Sequence, residues 1–261
     1  MLNVRKHVLA AAVLAALAAP IAWTAQPGVV SATPATQVQA GDAFSEDFTD
    51  GSMTYFESSD GWGNGNPFNC FWHKENTPMD GGDLELVIDN SPNPAADKYP
   101  YAGGEVRTKK TYGYGHYECV MKAIKNDGVV SSFFTYTGPW DGDPWDEIDF
   151  EVLGKDSTKV QLNYWRNGKG GHEKMIDLGF DASEDFHTYA FDWTPGKIVW
   201  YVDGKEVYRH EGSDVPITKQ KIMMNAWPGI GVNDWLKPFN ADNLPLVAEY
   251  KSVKYTPYTG K

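Results

Sequence analysis

The chain has 261 residues, 41% hydrophobic and 14% aromatic, enough to bury a sizeable core, and this length fits one all-β domain better than two small ones. A formal net charge of −12 argues against nucleic acid or an anionic membrane as partner, because affinity for phosphate comes mainly from Lys and Arg. A neutral polymer is not excluded.

The N-terminus carries Arg5 and Lys6, an unbroken apolar stretch from Val8 to Ala19, and then small and polar residues with Pro20, Pro27 and Pro34. No acidic residue precedes Asp42, and the apolar run is too short to span a bilayer. This predicts a secretory signal peptide over residues 1–32, followed by a single domain over 33–261. Small residues suit cleavage after Ala32 or Ala40, with Ala25 a weaker site, so the cut falls between 25 and 40. The mature protein is then expected to be secreted, extracellular or periplasmic, with no membrane contact, and its charge falls from −12 to −14 as Arg5 and Lys6 leave. Export makes a disulfide between Cys70 and Cys119 chemically possible, but spacing alone leaves two separately buried thiols an equal reading.

Beyond the leader the pattern is strands and turns. Tyr117–Lys122, Val160–Trp165 and His187–Trp193 alternate, with aromatic and β-branched residues on one face. Thr194-Pro195-Gly196-Lys197 and Asp203-Gly204 link successive runs as hairpins, and only Asp181–Asp185 has any helical character. Antiparallel strands without amphipathic helices predict a two-sheet sandwich or jelly roll. No Cys-x-x-Cys or His-Glu-x-x-His spacing points to a metal, and His172 and His187 read as structural.

The most informative segment runs from Trp145 to Gly154, where Glu147, Asp149 and Glu151 alternate with Ile148, Phe150 and Val152. In a strand the three acids share one face, with Trp145 beside them, and the apolar residues face the core. Glycoside hydrolysis needs two carboxyl groups flanking the scissile bond, about 5–5.5 Å apart for retention and about 6.5–9.5 Å for inversion. Glu147 and Glu151 lie roughly 13 Å apart at Cα, which two long side chains leaning inward on a concave strand can close. Three carboxyls so close cannot all ionise at neutral pH, and a raised carboxyl is what a general acid requires. A Ca²⁺ site and a solvated strand face compete for the same residues, although a straight strand offers ligands along a line instead of around a sphere. The aromatics and amides flanking the row favour the sugar reading: Phe133-Phe134-Thr135-Tyr136, Trp140, Trp145, Asn163-Tyr164-Trp165, Asn225-Ala226-Trp227 and Trp235, although several of these must be core.

Gly65-Asn66-Pro67-Phe68-Asn69-Cys70, Tyr112-Gly113-Tyr114-Gly115, the run from Val130 to Pro139, Trp145 to Lys155, Asp192-Trp193 and the run from Lys221 to Asn225 together resemble the bacterial lichenases. These are endo-β-1,3-1,4-glucanases of glycoside hydrolase family 16. The resemblance covers about Phe44 to Tyr255. It implies an all-β, concanavalin-like two-sheet antiparallel jelly roll with a concave cleft for a β-linked polysaccharide, acting with retention. Nothing in the sequence demands an oligomer or a cofactor, so a monomer with no required cofactor is expected. By position the resemblance implies Glu147 as nucleophile, Glu151 as proton donor and base, and Asp149 as an assisting acid. It further implies substrate contacts from Asn64, Glu105, Arg107, Phe134, Tyr136, Trp145, Asn163, Trp165, Asn225, Trp227 and Trp235.

The chain also departs from the family. Ala102-Gly103-Gly104 stands where many lichenases place the cysteine that pairs with that of Phe-Asn-Cys, and Trp165 and Val152 replace residues more often Tyr and Phe. Lys251 falls where an Asp would help hold a structural calcium, which argues against that ion here. Two further readings of function are a depolymerase of a bacterial exopolysaccharide such as succinoglycan and a non-catalytic carbohydrate-binding jelly roll. The intact acid trio counts against the second.

Overall fold

Alternation of side chains along short strands sets the architecture, because it gives each strand one face to turn into a core between two layers. A computed structural model describes residues 41–79 and 82–260, so the expected signal peptide and its cleavage sites lie outside the described residues. The first strands are β1 (Phe44–Asp47), β2 (Phe56–Ser58), β3 (Cys70–Trp72), β4 (Leu84–Asn90), β5 (Tyr101–Thr108), β6 (Gly115–Lys122) and β7 (Val129–Thr137). Then come β8 (Asp146–Leu153), β9 (Lys159–Trp165), β10 (Lys174–Asp177), β11 (His187–Thr194), β12 (Lys197–Val202), β13 (Lys205–Glu211), β14 (Lys221–Pro228) and β15 (Leu246–Pro257).

They form the two-layer jelly roll expected. One sheet runs β2-β5-β14-β7-β8-β9-β10, all antiparallel. The other runs β4-β15-β6-β11-β12-β13, with β1 on the far end of β15. A short β4–β5 pairing joins the two at one edge. Between them lies one core, to which the first sheet contributes Val106, Phe133, Ile148, Phe150, Leu162, Ile222 and Met224, and the second Leu86, Tyr117, Met121, Phe191, Trp200, Tyr250 and Tyr255. Each such side chain contributes about 1.5–3 kcal/mol when fully buried, and a one-residue slip of any strand would turn them all outward. Register is therefore fixed, and with it the outward set on β8.

The hairpins form where the turn residues place them. Asp203 and Gly204 both adopt positive φ (48° and 73°), the pair that a tight two-residue hairpin between β12 and β13 requires. Asp181–Asp185 is a turn and not a helix: the Asp181 carboxylate accepts from the Ser183 N–H at 3.1 Å and from the Ser157 and Ser183 hydroxyls, a local closure that competes with helix. The helical turns instead fall at Pro94–Asp97 (α1) and Asn233–Leu236 (α2).

Cys70 and Cys119 are both free and buried, so the bridge reading gives way to separate thiols. Cys119 lies between the sheets, its Sγ 3.8 Å from Met224 Sδ, whereas Cys70 belongs to a second apolar cluster with Trp72, Val130, Leu153, Trp227 and Leu236. Val130, Leu153 and Trp227 point away from the main core, so this cluster stands on the acid-bearing face of the first sheet.

Candidate active site

Residues of odd number on β8 turn away from the core. Glu147 and Glu151 are half-buried and Asp149, between them, is 4% exposed, while Ile148, Phe150 and Val152 are fully buried behind. The neighbouring strands add a matching row by register: Tyr136, Phe134 and Ser132 of β7 lie opposite Glu147, Asp149 and Glu151, and on the other side stand Trp165, Asn163 and Gln161 of β9. Asn225 of β14 extends the face beyond Ser132, whose hydroxyl donates to Asn225 Oδ1 at 2.5 Å.

Burial raises all three carboxyls. It pushes Glu147 up to about 7 against the hydrogen bonds from Trp145 and Asp149 that favour its ionised form. Glu151 rises to about 8 through burial and then the Glu147 charge, opposed by the Gln161 amide. Asp149 is held well above the carboxylate range by burial, by the charges of Glu147 and Glu151, and by its hydrogen bond to Glu147. The simplest proton inventory between about pH 7 and 8 follows: Asp149 is protonated and donates to Glu147, Glu147 carries the charge, and Glu151 keeps its proton.

Two aromatic walls flank this row. Beside Glu147, Trp145 Nε1 donates to Glu147 Oε2 at 2.6 Å, and its ring stacks on Trp165 with centroids 4.2 Å apart and planes within 10°. The ring of Tyr136 lies on the same side, its hydroxyl raised to about 12 by burial and the Glu147 charge. Beyond Glu151, Trp227 packs on Phe68 (4.2 Å between centroids) and on Trp235 (6.0 Å). At 3% exposure Trp227 is part of the second apolar cluster and supports that wall from beneath.

The remaining expected residues fall on the same face with differing freedom. Glu105 is 2% exposed, and its oxygens accept from Ser59 Oγ at 2.7 Å and Asn225 Nδ2 at 3.0 Å, so it orders Asn225 from below. Arg107 donates to Glu57 Oε1 at 3.1 Å with its guanidinium 5.0 Å over the Trp62 ring. Asn64 is exposed in the loop before β3, where its Oδ1 accepts from Trp72 Nε1 at 3.1 Å. Asn163 Oδ1 is buried and has no hydrogen-bond partner among the described residues.

Sequence reading missed Gln161 and Asp146. Asp146 is 0% exposed and points to the core side, where Arg166 Nη1 and the backbone N–H groups of Asn167, Ile217 and Thr218 donate to it at 2.8–3.2 Å. Its even number, opposite in parity to the acid row, was the available signal.

The family model described as glycosyl hydrolases family 16 matches residues 64–243. The chain belongs to glycosyl hydrolase family 16. This family 16 glycoside hydrolase is 50% identical over 226 residues to a β-glucanase of Bacillus subtilis, covering 86% of this chain and 90% of that protein. It is 59% identical over 213 residues to a xylanase/β-glucanase of Ruminococcus flavefaciens, covering 80% of this chain but about a quarter (26%) of that longer protein. Among solved structures it superposes on a β-1,3-1,4-glucanase (lichenase) from a mouse hindgut metagenome with a TM-score of 0.78 at 52% identity, covering 83% of this chain and 99% of that one. The Bacillus licheniformis β-glucanase also gives 0.78, at 50% identity, over 84% of this chain and 100% of that one.

The position that the resemblance links to a calcium ion carries Lys251, an ammonium where an oxygen donor would be needed. Lys251 Nζ stands 3.8 Å over the Phe186 ring and Lys122 Nζ 5.3 Å from the same ring, so two ammonium groups occupy the region around Lys251. Among the described residues, Asp60, His73 and Glu75 bring ligand atoms within 4.8 Å of one another, but His73 Nε2 is already hydrogen-bonded to Asp97 at 3.0 Å and both acids are exposed.

Proposed function

We propose that this chain is a secreted, monomeric, retaining endo-β-glucanase that hydrolyses β-1,4 bonds in mixed-linkage β-1,3-1,4-glucan. The observation that carries the reading is the geometry of the acid row: Glu147 and Glu151 flank the buried Asp149 on one strand face, Glu147 accepting from Trp145 Nε1 and Glu151 from Gln161 Nε2. The glucanase relatives and the lichenase-like fold support the substrate class. In the first step a Glu147 oxygen attacks the anomeric carbon, the glycosidic C–O bond breaks, and the Glu151 proton goes to the leaving oxygen. Asp149 holds the attacking carboxyl by its own O–H. In the second step Glu151, now a carboxylate, takes a proton from water as that water's oxygen displaces Glu147 from the anomeric carbon. Trp145, Trp165 and Tyr136 on one side and Trp235 on the other offer ring faces and polar tips to the glucan.

The test is chemical rescue. Glu147→Ala is expected to be inactive and, with azide and an activated β-glycoside, to give the α-glycosyl azide, whereas Glu151→Ala gives the β-azide. Near-normal hydrolysis by Glu147→Ala, or initial release of the α-anomer from a β-glucan by NMR, would overturn the mechanism. Product patterns on lichenan, laminarin, carboxymethylcellulose and succinoglycan test the substrate: cleavage of succinoglycan in preference to lichenan refutes the mixed-linkage assignment.

A further inference from the structure

The two ends of the acid row are held differently. Glu147 receives an indole N–H directly, but Glu151 is reached through an intermediary. Gln161 sits opposite Glu151 on the β8–β9 ladder, is 6% exposed, and donates from Nε2 to Glu151 Oε2 at 2.9 Å. Its Oε1 accepts from Trp235 Nε1 at 3.0 Å. Trp235 arrives from α2, 74 residues further along the chain, and is seated there by the buried Leu236 next to it and by the Trp227 ring.

A side-chain amide can face a carboxyl with its NH₂ or, after a half-turn of its last torsion, with its oxygen. Those two faces have opposite effects. An NH₂ group donates to a carboxylate and favours the ionised form, whereas an amide oxygen accepts from a protonated carboxyl and favours the neutral form. An indole N–H can only donate, so it commits whichever amide atom it touches to being the oxygen.

We infer that Trp235 is a positioning residue for Glu151, acting through Gln161, whose amide it holds with the NH₂ toward the carboxyl. The inference rests on the reading of Glu151 as acid and base. It gives that double role a physical basis. Glu147 and Asp149 on the same strand and Glu173, just before β10, are the acids that bear on Glu151 or its neighbour, while β7 presents the uncharged Ser132 opposite it. With burial and acids favouring the proton, a residue that must become a carboxylate again to activate water needs a fixed donor, and Gln161 supplies it. On this account Trp235 belongs to the proton machinery as well as to the wall.

The test uses Trp235→Phe, which keeps an aromatic ring and deletes the N–H, and Gln161→Leu, which keeps bulk and deletes the amide. Both are expected to move the alkaline limb of the kcat/KM profile on a β-glucan upward by about one pH unit, the size of a hydrogen bond to a charged group. In the double variant the limb is expected to match that of Gln161→Leu alone, because the indole has nothing left to act through. If Trp235 is only a sugar platform, Trp235→Phe raises KM, leaves the limb in place, and adds fully to Gln161→Leu; that result overturns the inference. Should Trp235→Phe fail to fold, an unmoved limb in Gln161→Leu is equally decisive. Glu151→Ala separates the two levels: if it retains hydrolysis the acid/base reading fails, whereas an inactive Glu151→Ala beside an unmoved limb in Trp235→Phe removes only the role of Trp235.

Discussion

Replacing Trp145 by Phe isolates the hydrogen bond that keeps the proposed nucleophile ionised. The phenyl ring can still stack on Trp165, but the N–H that reaches Glu147 Oε2 at 2.6 Å is gone. A hydrogen bond to a charged group contributes about 1.5–3 kcal/mol, and one pKa unit is about 1.4 kcal/mol, so Glu147 should rise by about 1–2 units from about 7. Activity needs Glu147 ionised while Glu151, at about 8, is protonated. With limbs at about 7 and 8, about a quarter of the enzyme is in that state near pH 6.5. With Glu147 raised to about 8.5, about one part in a hundred is. The expected loss in kcat/KM is therefore about 20-fold near pH 6.5, shrinking to about 2.5-fold near pH 8.3. Initial rates on lichenan at low substrate, from about pH 5 to 9.5, measure it. A loss of the same size at every pH would mean that Trp145 serves substrate binding alone and that its N–H does not set the charge of Glu147.

Two further outcomes concern stability. Because Glu151 is raised to about 8 in the fold from about 4.3 in the unfolded chain, the native state holds a proton that the unfolded state has released, and stability falls as pH rises through that window. Glu151→Gln removes the titration, so the variant should be more stable than the parent by about 1–2 kcal/mol near pH 8.5 and equal to it near pH 5, the value discounted for the half-exposed carboxyl; thermal melts showing one constant difference would contradict this. Asp146→Asn places an NH₂ group among four donors and leaves Arg166 without its counter-charge, at an expected cost of about 2–4 kcal/mol in urea unfolding. A cost below about 1 kcal/mol would show that those donors find other partners.

How much of this was legible in the sequence depends on distance along the chain. The acid row was, because a strand sorts residues by parity, and Ile148, Phe150 and Val152 announce which parity is buried. The same rule separates Asp146 from its neighbours: an acid on the apolar face must be satisfied by several donors or not be there. Local turn chemistry was legible at Asp203-Gly204 and deceptive at Asp181–Asp185, where the partners of Asp181 include Lys125 and Ser157 from distant segments. Glu105 looked free to meet a sugar, but Ser59 and Asn225, 46 and 120 residues away, occupy both its oxygens.

The tryptophans show most clearly why composition alone falls short. Their number suggested sugar platforms, yet a platform and a hydrogen-bond holder need the same residue and differ only in where the indole N–H points. Here the N–H of Trp145 goes to one end of the acid row and that of Trp235 toward the other, while Trp227 is spent on packing. Phe or Tyr could supply the ring faces. Neither has a donor at the edge of a fused ring, so a wall that must both face a glucan and hold a carboxylate selects Trp. Three acids on one strand face would repel if all were ionised. They coexist because the middle one donates its own proton and the outer two are each held at one oxygen by a neutral donor, Trp145 for Glu147 and Gln161 for Glu151, which leaves the row with about one negative charge at working pH.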